Sequence, residues 1–254
     1  MINNKTENSE NRNNSNDTKI MTKTRRKKQP SDISYEQEVL RKGIHLMSLS
    51  IPIIYIFLTR EFALTILIPL TIIFVSVDIL AKKNYWVRDK LHFFFGGMLR
   101  DHEKDYEKFV LNGASWVLIS AVVTLFIFPK VIAVIAFMIL IVSDISAALI
   151  GRKYGFHKIV SLNKSVEGTL AFMASGFIVV WLVGMIYKAD LWFYTAGYLG
   201  AFVGGFAELF AGKMKLDDNL SIPISVGLTM SLINLISYHY FQTTFLNLFN
   251  MVKF

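Results

Sequence analysis

From residue 44 onward the chain alternates long apolar runs with short polar turns. The runs cover roughly 44–58, 62–80, 114–128, 131–150, 169–187, 191–211 and 222–246. A helix needs roughly 20 mostly apolar residues to cross a bilayer, so this pattern predicts an all-α integral membrane protein of about seven transmembrane helices. The first and third runs are short for a span, and their ends are expected to extend into flanking residues or to sit where the bilayer thins. Turns such as Thr59-Arg60-Glu61, Phe128-Pro129-Lys130 and Lys188-Ala189-Asp190 are brief, which makes neighbouring spans antiparallel hairpins.

The opening segment has the opposite character. Residues 1–34 are rich in Asn, Ser, Lys and Glu and almost free of large apolar side chains, so they bury too little surface to offset the entropy of ordering. The expected division is a disordered basic cytoplasmic tail over 1–34 and a multi-span membrane domain over 35–254. No apolar core lies within the first thirty residues, so no secretory signal peptide is expected. The basic run Arg25-Arg26-Lys27-Lys28 suits a solvated segment touching anionic head groups on the cytoplasmic side.

Composition agrees. Of 254 residues 53% are hydrophobic, and the mean hydropathy of +0.44 is too high for a soluble domain of this length. The formal charge of +8 would ordinarily raise the question of nucleic acid. Here the cations lie between apolar segments, where they act as topology signals, and no nucleic-acid role is expected. The absence of cysteine removes disulfides, thiolate metal sites and thiol nucleophiles from consideration. Ten lysines and arginines precede the first span, seven lie in the 82–112 connection, four in 151–168 and two in 212–221. Only Arg60, Lys130, Lys188 and Lys253 fall on the other face. This bias predicts that the tail and the three long connections are cytoplasmic, with the C-terminus opposite.

The same threading places the acids. Asp78, Asp144 and Glu208 fall near the inner ends of the second, fourth and sixth spans, and Glu167, Asp217 and Asp218 lie in loops on that face. A carboxylate in a span costs roughly 2.5–3.5 kcal/mol on insertion scales and marks a candidate functional site. Acids gathered at one depth argue for a surface-facing site, whereas an ion pathway would string them across the bilayer. At helical spacing Ala148 and Gly151 share a stripe with Asp144, a small-residue groove that could admit a phosphate with its metal.

The polar connections supply the rest of such a site. Lys164 and Ser165 precede the fifth span, whose unpaired N–H groups and dipole make an anion site. No Gly-x-x-x-x-Gly-Lys pattern or preceding strand supports a Walker loop. Gly151 and Gly155 bracket Arg152-Lys153-Tyr154 in a loop suited to folding over phosphates, with Lys158 adding charge and Gly168 closing the stretch. Asp217, Asp218 and Asn219 offer hard oxygen ligands of the kind Mg²⁺ takes in small number beside substrate phosphates. Plainer roles are available to each group. Lys164 could be an interfacial lysine, Asp217 and Asp218 a solvated turn, and Glu208 a helix end paired with Lys213. His102 and His157 suit surface positions, Arg100 and Glu103 an exposed helix. Phe93-Phe94-Phe95 reads as an interfacial helix and secondarily as a lip for lipid entry.

These motifs carry a family resemblance. Ser143-Asp-Ile-Ser-Ala-Ala-Leu-Ile-Gly-Arg-Lys-Tyr-Gly, Asn163-Lys-Ser-Val-Glu-Gly, and Glu208 with Leu216-Asp-Asp-Asn-Leu-Ser-Ile-Pro resemble the polyprenol kinase family, which includes dolichol kinase, phytol kinase and the CTP-dependent diacylglycerol kinases. The likeness continues in Arg41-Lys-Gly-Ile-His45, in Gly97-Met-Leu-Arg100 with Glu103, and in Asn112-Gly-Ala-Ser-Trp116, covering about residues 40–224. The resemblance implies an enzyme that uses Mg²⁺ and passes the γ-phosphoryl of CTP to a lipid alcohol, either diacylglycerol, a polyprenol or dolichol, or phytol. It implies catalytic roles for Asp144, Lys164 and Glu167, and nucleotide contacts from Gly151, Arg152, Lys158, Ser165 and Gly168. Asp144, Glu208, Asp217 and Asp218 would serve the metal, and Arg41, His45, Arg100 and Asn219 the substrate or its phosphate. The Arg100 and Asn112–Trp116 segments resemble the diacylglycerol kinase branch, Glu167 the phytol and dolichol kinases. The acceptor therefore stays open. The membrane would be a bacterial inner membrane or an endoplasmic reticulum.

Two other functions fit the composition. A phosphatidate cytidylyltransferase would carry a His-Gly-Gly element followed by Asp-Arg-x-Asp, where this chain reads Asp217-Asp-Asn-Leu-Ser-Ile-Pro. A transporter or non-catalytic membrane protein would spread its acids through the depth of the bilayer.

Overall fold

The computed structural model describes residues 35–95, 111–159, 162, 164–214 and 216–250, with the side chains of 91–95 and 250 left aside. The proposed tail over 1–34, Arg100 with Glu103 and His102, and Asn163 lie outside the described residues, as do the side chains of Phe93-Phe94-Phe95.

The described chain is helical apart from one small hairpin. The helices are α1 (Tyr35–Met47), α2 (Ser50–Phe57), α3 (Arg60–Lys83), α4 (Tyr85–Phe95), α5 (Gly113–Ile127), α6 (Lys130–Tyr154), α7 (Val166–Ile186), α8 (Leu191–Ala211) and α9 (Asp218–Phe241). Between α6 and α7, β1 (Lys158–Ile159) pairs antiparallel with β2 (Lys164–Ser165). All seven expected runs are helical over most of their length. Five segments are long and apolar enough to cross a membrane: Tyr35–Phe57, Arg60–Lys83, Lys130–Tyr154, Val166–Ile186 and Asp218–Phe241. The architecture is that of an all-α membrane protein. The other two expected runs differ for identifiable reasons. The α8 helix has the length, but Gly197, Gly200, Gly204 and Gly205 dilute its hydropathy. At 15 residues, α5 reaches only about 22 Å, short of a hydrocarbon core of roughly 30 Å.

Each boundary has a local cause. Thr59 caps α3 by accepting from the Phe62 N–H at 3.3 Å, and Asp190 caps α8 by accepting from Phe193 at 2.9 Å, in the manner of N-cap oxygens. Asn112 caps α5 through the Ser115 N–H at 3.0 Å. Its own N–H donates to Asp78 at the end of α3 at 3.0 Å, and its side-chain amide donates to the same carboxylate. The last run ends earlier than its apolar length suggests. At Gln242 the backbone turns left-handed, with φ 53°, and the following residues fold back to bury Phe245, Leu248 and Phe249.

The first span begins upstream of the apolar run because α1 is inside out. Its buried residues are Glu38 and Lys42, while Val39, Leu40, Ile44, Leu46 and Met47 are exposed. In water that arrangement would be costly. Against lipid it places the apolar side chains outward and pairs the charges inward.

The core centres on α6. Seventy-two per cent of its most apolar stretch is buried, against 17% for α3, because α6 packs against α1, α2, α5, α7, α8 and α9. From Val131 to Phe137 every side chain is at or near zero exposure. Asp144 therefore stands on the most enclosed helix of the bundle.

Candidate functional site

Four helix termini meet at one end of the bundle: the C-terminal parts of α6 and α8 and the starts of α7 and α9, with α1 laid against α6. Asp144, 7% exposed, accepts from the Lys42 ammonium of α1, and His45 Nε2 lies 3.6 Å from the same oxygen. Lys164, at the base of α7, pairs with Glu208 of α8 and lies 4.0 Å from Asp218 of α9. The Asp144 carboxylate interacts electrostatically with Lys164 as well as with Lys42 and His45, which joins the two ion pairs into one site. Two lysines and three carboxylates thus come together from four helices and the strand β2.

A buried carboxylate left without a partner would cost several kcal/mol, and pairing largely offsets this. Not every lone pair is used, however. Glu208 Oε2 and His45 Nε2 are buried with no hydrogen-bond partner, so the site retains unspent capacity. Beside it, Glu38 accepts from Arg41 at 2.6 Å and lies 3.3 Å from Arg152 of α6, clamping α1 to the helix that bears Asp144.

The remaining predicted residues are placed as follows. Gly151 and Gly168 meet across the α6–α7 contact: a Cβ on Gly151 would come 3.3 Å from the Gly168 Cα and 3.1 Å from Ser165 Oγ. At Gly155 a Cβ would fall 2.6 Å from Ser165 Oγ. The groove beside Asp144 is filled by the start of α7, where the sequence had suggested room for a phosphate. The expected anion site at the α7 N-terminus is also partly used internally. Ser165 Oγ accepts from the Gly168 N–H at 3.1 Å, and the Val166 N–H donates to the His157 carbonyl at 3.0 Å. Positive charge at this corner comes from the Lys164 side chain. Glu167 turns to His157, accepting from its N–H at 3.0 Å and lying 2.7 Å from its Nδ1. Lys158 is exposed on the hairpin opposite Ser165. Asp217 caps α9 and accepts from Asn219 through both the backbone N–H at 3.0 Å and the side-chain amide at 2.8 Å, so Asp218 is the member of the pair that faces Lys164. Arg41 and Arg152 meet on Glu38.

Lys42 and Glu38 were not singled out from sequence. A signal existed, because Glu38, Arg41, Lys42 and His45 follow i, i+3, i+4, i+7 spacing and share a helix face. In an otherwise lipid-exposed helix that face has to meet protein.

Among the described residues no three His, Asp or Glu side chains are grouped to hold a metal by themselves. The acids are interleaved with ammonium groups.

The chain is 30% identical over 209 residues to an uncharacterized protein of Rickettsia prowazekii (strain Madrid E), an alignment covering 79% of this chain and 96% of the relative; the chain belongs to the family of that protein. It is also 28% identical over 139 residues to CTP-dependent diacylglycerol kinase 1 of Schizosaccharomyces pombe, covering 51% of this chain and 62% of the kinase. A further 28% identity over 138 residues links it to CTP-dependent diacylglycerol kinase 1 of Saccharomyces cerevisiae, covering 47% and 48%. This distant similarity suggests a lipid kinase. No family model matches the chain. No solved structure matches it.

Proposed function

We propose that this protein is a membrane lipid kinase that transfers the γ-phosphoryl of CTP to the hydroxyl of diacylglycerol at the cytoplasmic face. The observation that carries this reading is the lysine–carboxylate cluster of Lys42, Asp144, Lys164, Glu208 and Asp218 at one end of an otherwise apolar bundle. Resemblance to CTP-dependent diacylglycerol kinases supports the donor and acceptor. The bias of lysine and arginine toward the connections at that end supports the side.

The ammonium groups of Lys42 and Lys164 neutralise the carboxylates. A triphosphate would offer Lys164 stronger acceptors in its phosphate oxygens, and Glu208 and Asp218 are the carboxylates that would hold a cation beside it. Mg²⁺ fits such a site, since it commonly binds one or two carboxylates and completes its shell with substrate phosphates and water. The unpartnered Oε2 of Glu208 is a suitable oxygen. Bound there, the ion would neutralise charge on the transferring phosphoryl group, which with positioning is most of what phosphoryl transfer requires.

The chain's own residues do the remainder. Lys42 keeps Asp144 ionised and fixed, with the Glu38–Arg152 contact anchoring α1. Asp144 orients the lipid hydroxyl and receives its proton as the hydroxyl oxygen bonds to the γ-phosphorus. The bond from that phosphorus to the β,γ-bridging oxygen breaks, and CDP leaves. The acceptor reaches the site sideways between helices, its acyl chains still in the bilayer.

The test is incubation of purified protein with γ-labelled CTP or ATP, Mg²⁺ and a panel of diacylglycerol, polyprenol and phytol, followed by lipid extraction. Labelled phosphatidate with release of CDP is expected. Release of pyrophosphate with a CDP-lipid, or no transfer to any lipid, would overturn the reading.

A further inference from the structure

The start of α9, which brings Asp218 to Lys164, has a defect in its hydrogen bonding that another helix repairs. Pro223 sits inside α9. In a regular helix the N–H of residue 223 would donate to the Asn219 carbonyl one turn earlier, but proline has no N–H, and its ring crowds the i−4 carbonyl. Neighbouring side chains commonly supply the donor that such a proline removes. Here Ser120 of α5, fully buried, donates its hydroxyl to the Asn219 carbonyl at 2.5 Å.

We propose that Ser120 is a positioning residue for the site, holding the proline-freed carbonyl of Asn219 and thereby the α9 turn that carries Asp218. Ser120 touches none of the reacting groups. It acts through the backbone next to Asp218, and α5 is itself set by the Asp78–Asn112 bonds at its start. A serine hydroxyl in a helix can instead bond to its own i−4 carbonyl. That this one crosses to the carbonyl left over by a proline 103 positions further on is what marks it as a device rather than a packing accident. The inference rests on the kinase reading for its effect on nucleotide, though not for the hydrogen bond itself.

The two can be tested separately with S120A, P223A and the double variant in full-length detergent-purified protein. The readouts are KM for CTP, kcat with diacylglycerol, and thermal stability without nucleotide. Losing one such bond corresponds to roughly a two- to tenfold change, so S120A is expected to raise KM for CTP by about that factor, with a smaller change in kcat, and to lower the melting temperature. P223A restores an N–H where the carbonyl needs one. In the P223A background the serine should become nearly dispensable, with both KM and melting temperature recovering. If S120A fails to purify, S120C, with a similar shape and a weaker donor, replaces it in the same cycle. An S120A protein like wild type in both readouts, or a defect that P223A does not relieve, would overturn the proposal. A wild-type protein that transfers no phosphoryl and gains no stability from CTP with Mg²⁺ would instead remove the kinase reading, and with it any role in placing nucleotide. The ligand-free melting cycle would still decide whether Ser120 serves the Asn219 carbonyl.

Discussion

The two ends of the bundle use the same kind of residue for different work. At the end away from the site, Arg60 donates to the Phe128 carbonyl at 2.7 Å and Lys130 to the Ile56 carbonyl at 2.9 Å. Each cation closes the C-terminus of a neighbouring helix, where carbonyls lack donors and the dipole favours positive charge. At the site end Lys42 and Lys164 rest on carboxylates of helices distant in sequence. A cation on a carbonyl ties two turns together and has nothing to exchange. A cation on a carboxylate forms a pair that, on the proposed kinase reading, phosphate would open on one side and a metal on the other. On that reading, what separates a structural cation from a functional one is whether the neighbouring helix offers it a carbonyl or a carboxylate.

The sharpest way to break this contrast is at Asp144. D144N is expected to lower phosphoryl transfer on the order of 10²–10³-fold, as removal of a preorganised electrostatic group does. D144A should also destabilise the protein by about 3–5 kcal/mol, because Lys42 is left buried without a counter-charge. Replacing both partners, in K42M/D144L, should recover much of that stability in thermal melts and none of the transfer activity. An active double variant would show that the pair is only structural.

K164M comes next. It should raise KM for CTP and reduce the stabilisation that CTP with Mg²⁺ gives in a melting assay, while the protein remains folded because Lys164 is less enclosed than Lys42. A CTP response equal to wild type would remove Lys164 from the nucleotide site.

At the opposite end, K130M and R60M should each cost about 1.5–3 kcal/mol of stability, the range for hydrogen bonds to charged groups, with transfer activity within about twofold of wild type once folded. A large loss of turnover in well-folded K130M would erase the distinction between the ends.

The smallest effect is expected at the hairpin corner. The His157 side chain is 83% exposed, and its link to Glu167 ties the residue before β1 to the first turn of α7. H157A and E167Q should alter transfer much less than D144N. If E167Q is as damaging as D144N, Glu167 belongs with the catalytic carboxylates.

The apolar runs and turns were readable from the chain because an apolar segment of span length has few alternatives in a bilayer, where backbone groups must be satisfied within the helix. Asp144, Lys164, Glu208 and Asp218 were legible as well, since a charge in or beside such a run requires an explanation. Their partners were not. The pairing of Lys42 with Asp144 spans 102 positions and that of Lys164 with Glu208 spans 44, and no local rule selects one lysine over the next. The close approach at the glycines was legible, though not what makes it. Gly151 and Gly168 announced that something comes close to the backbone, and only packing decided that it was the neighbouring helix.

By itself, then, the order of residues determined a helical membrane protein with acids and bases collected toward one end of its helices. The tertiary structure decided that α1 turns its charges inward, that α7 occupies the small-residue groove, and that a serine on α5 answers a proline on α9. Helix formation follows from neighbours along the chain. Charge pairing and the repair of a missing hydrogen bond depend on which helices pack together.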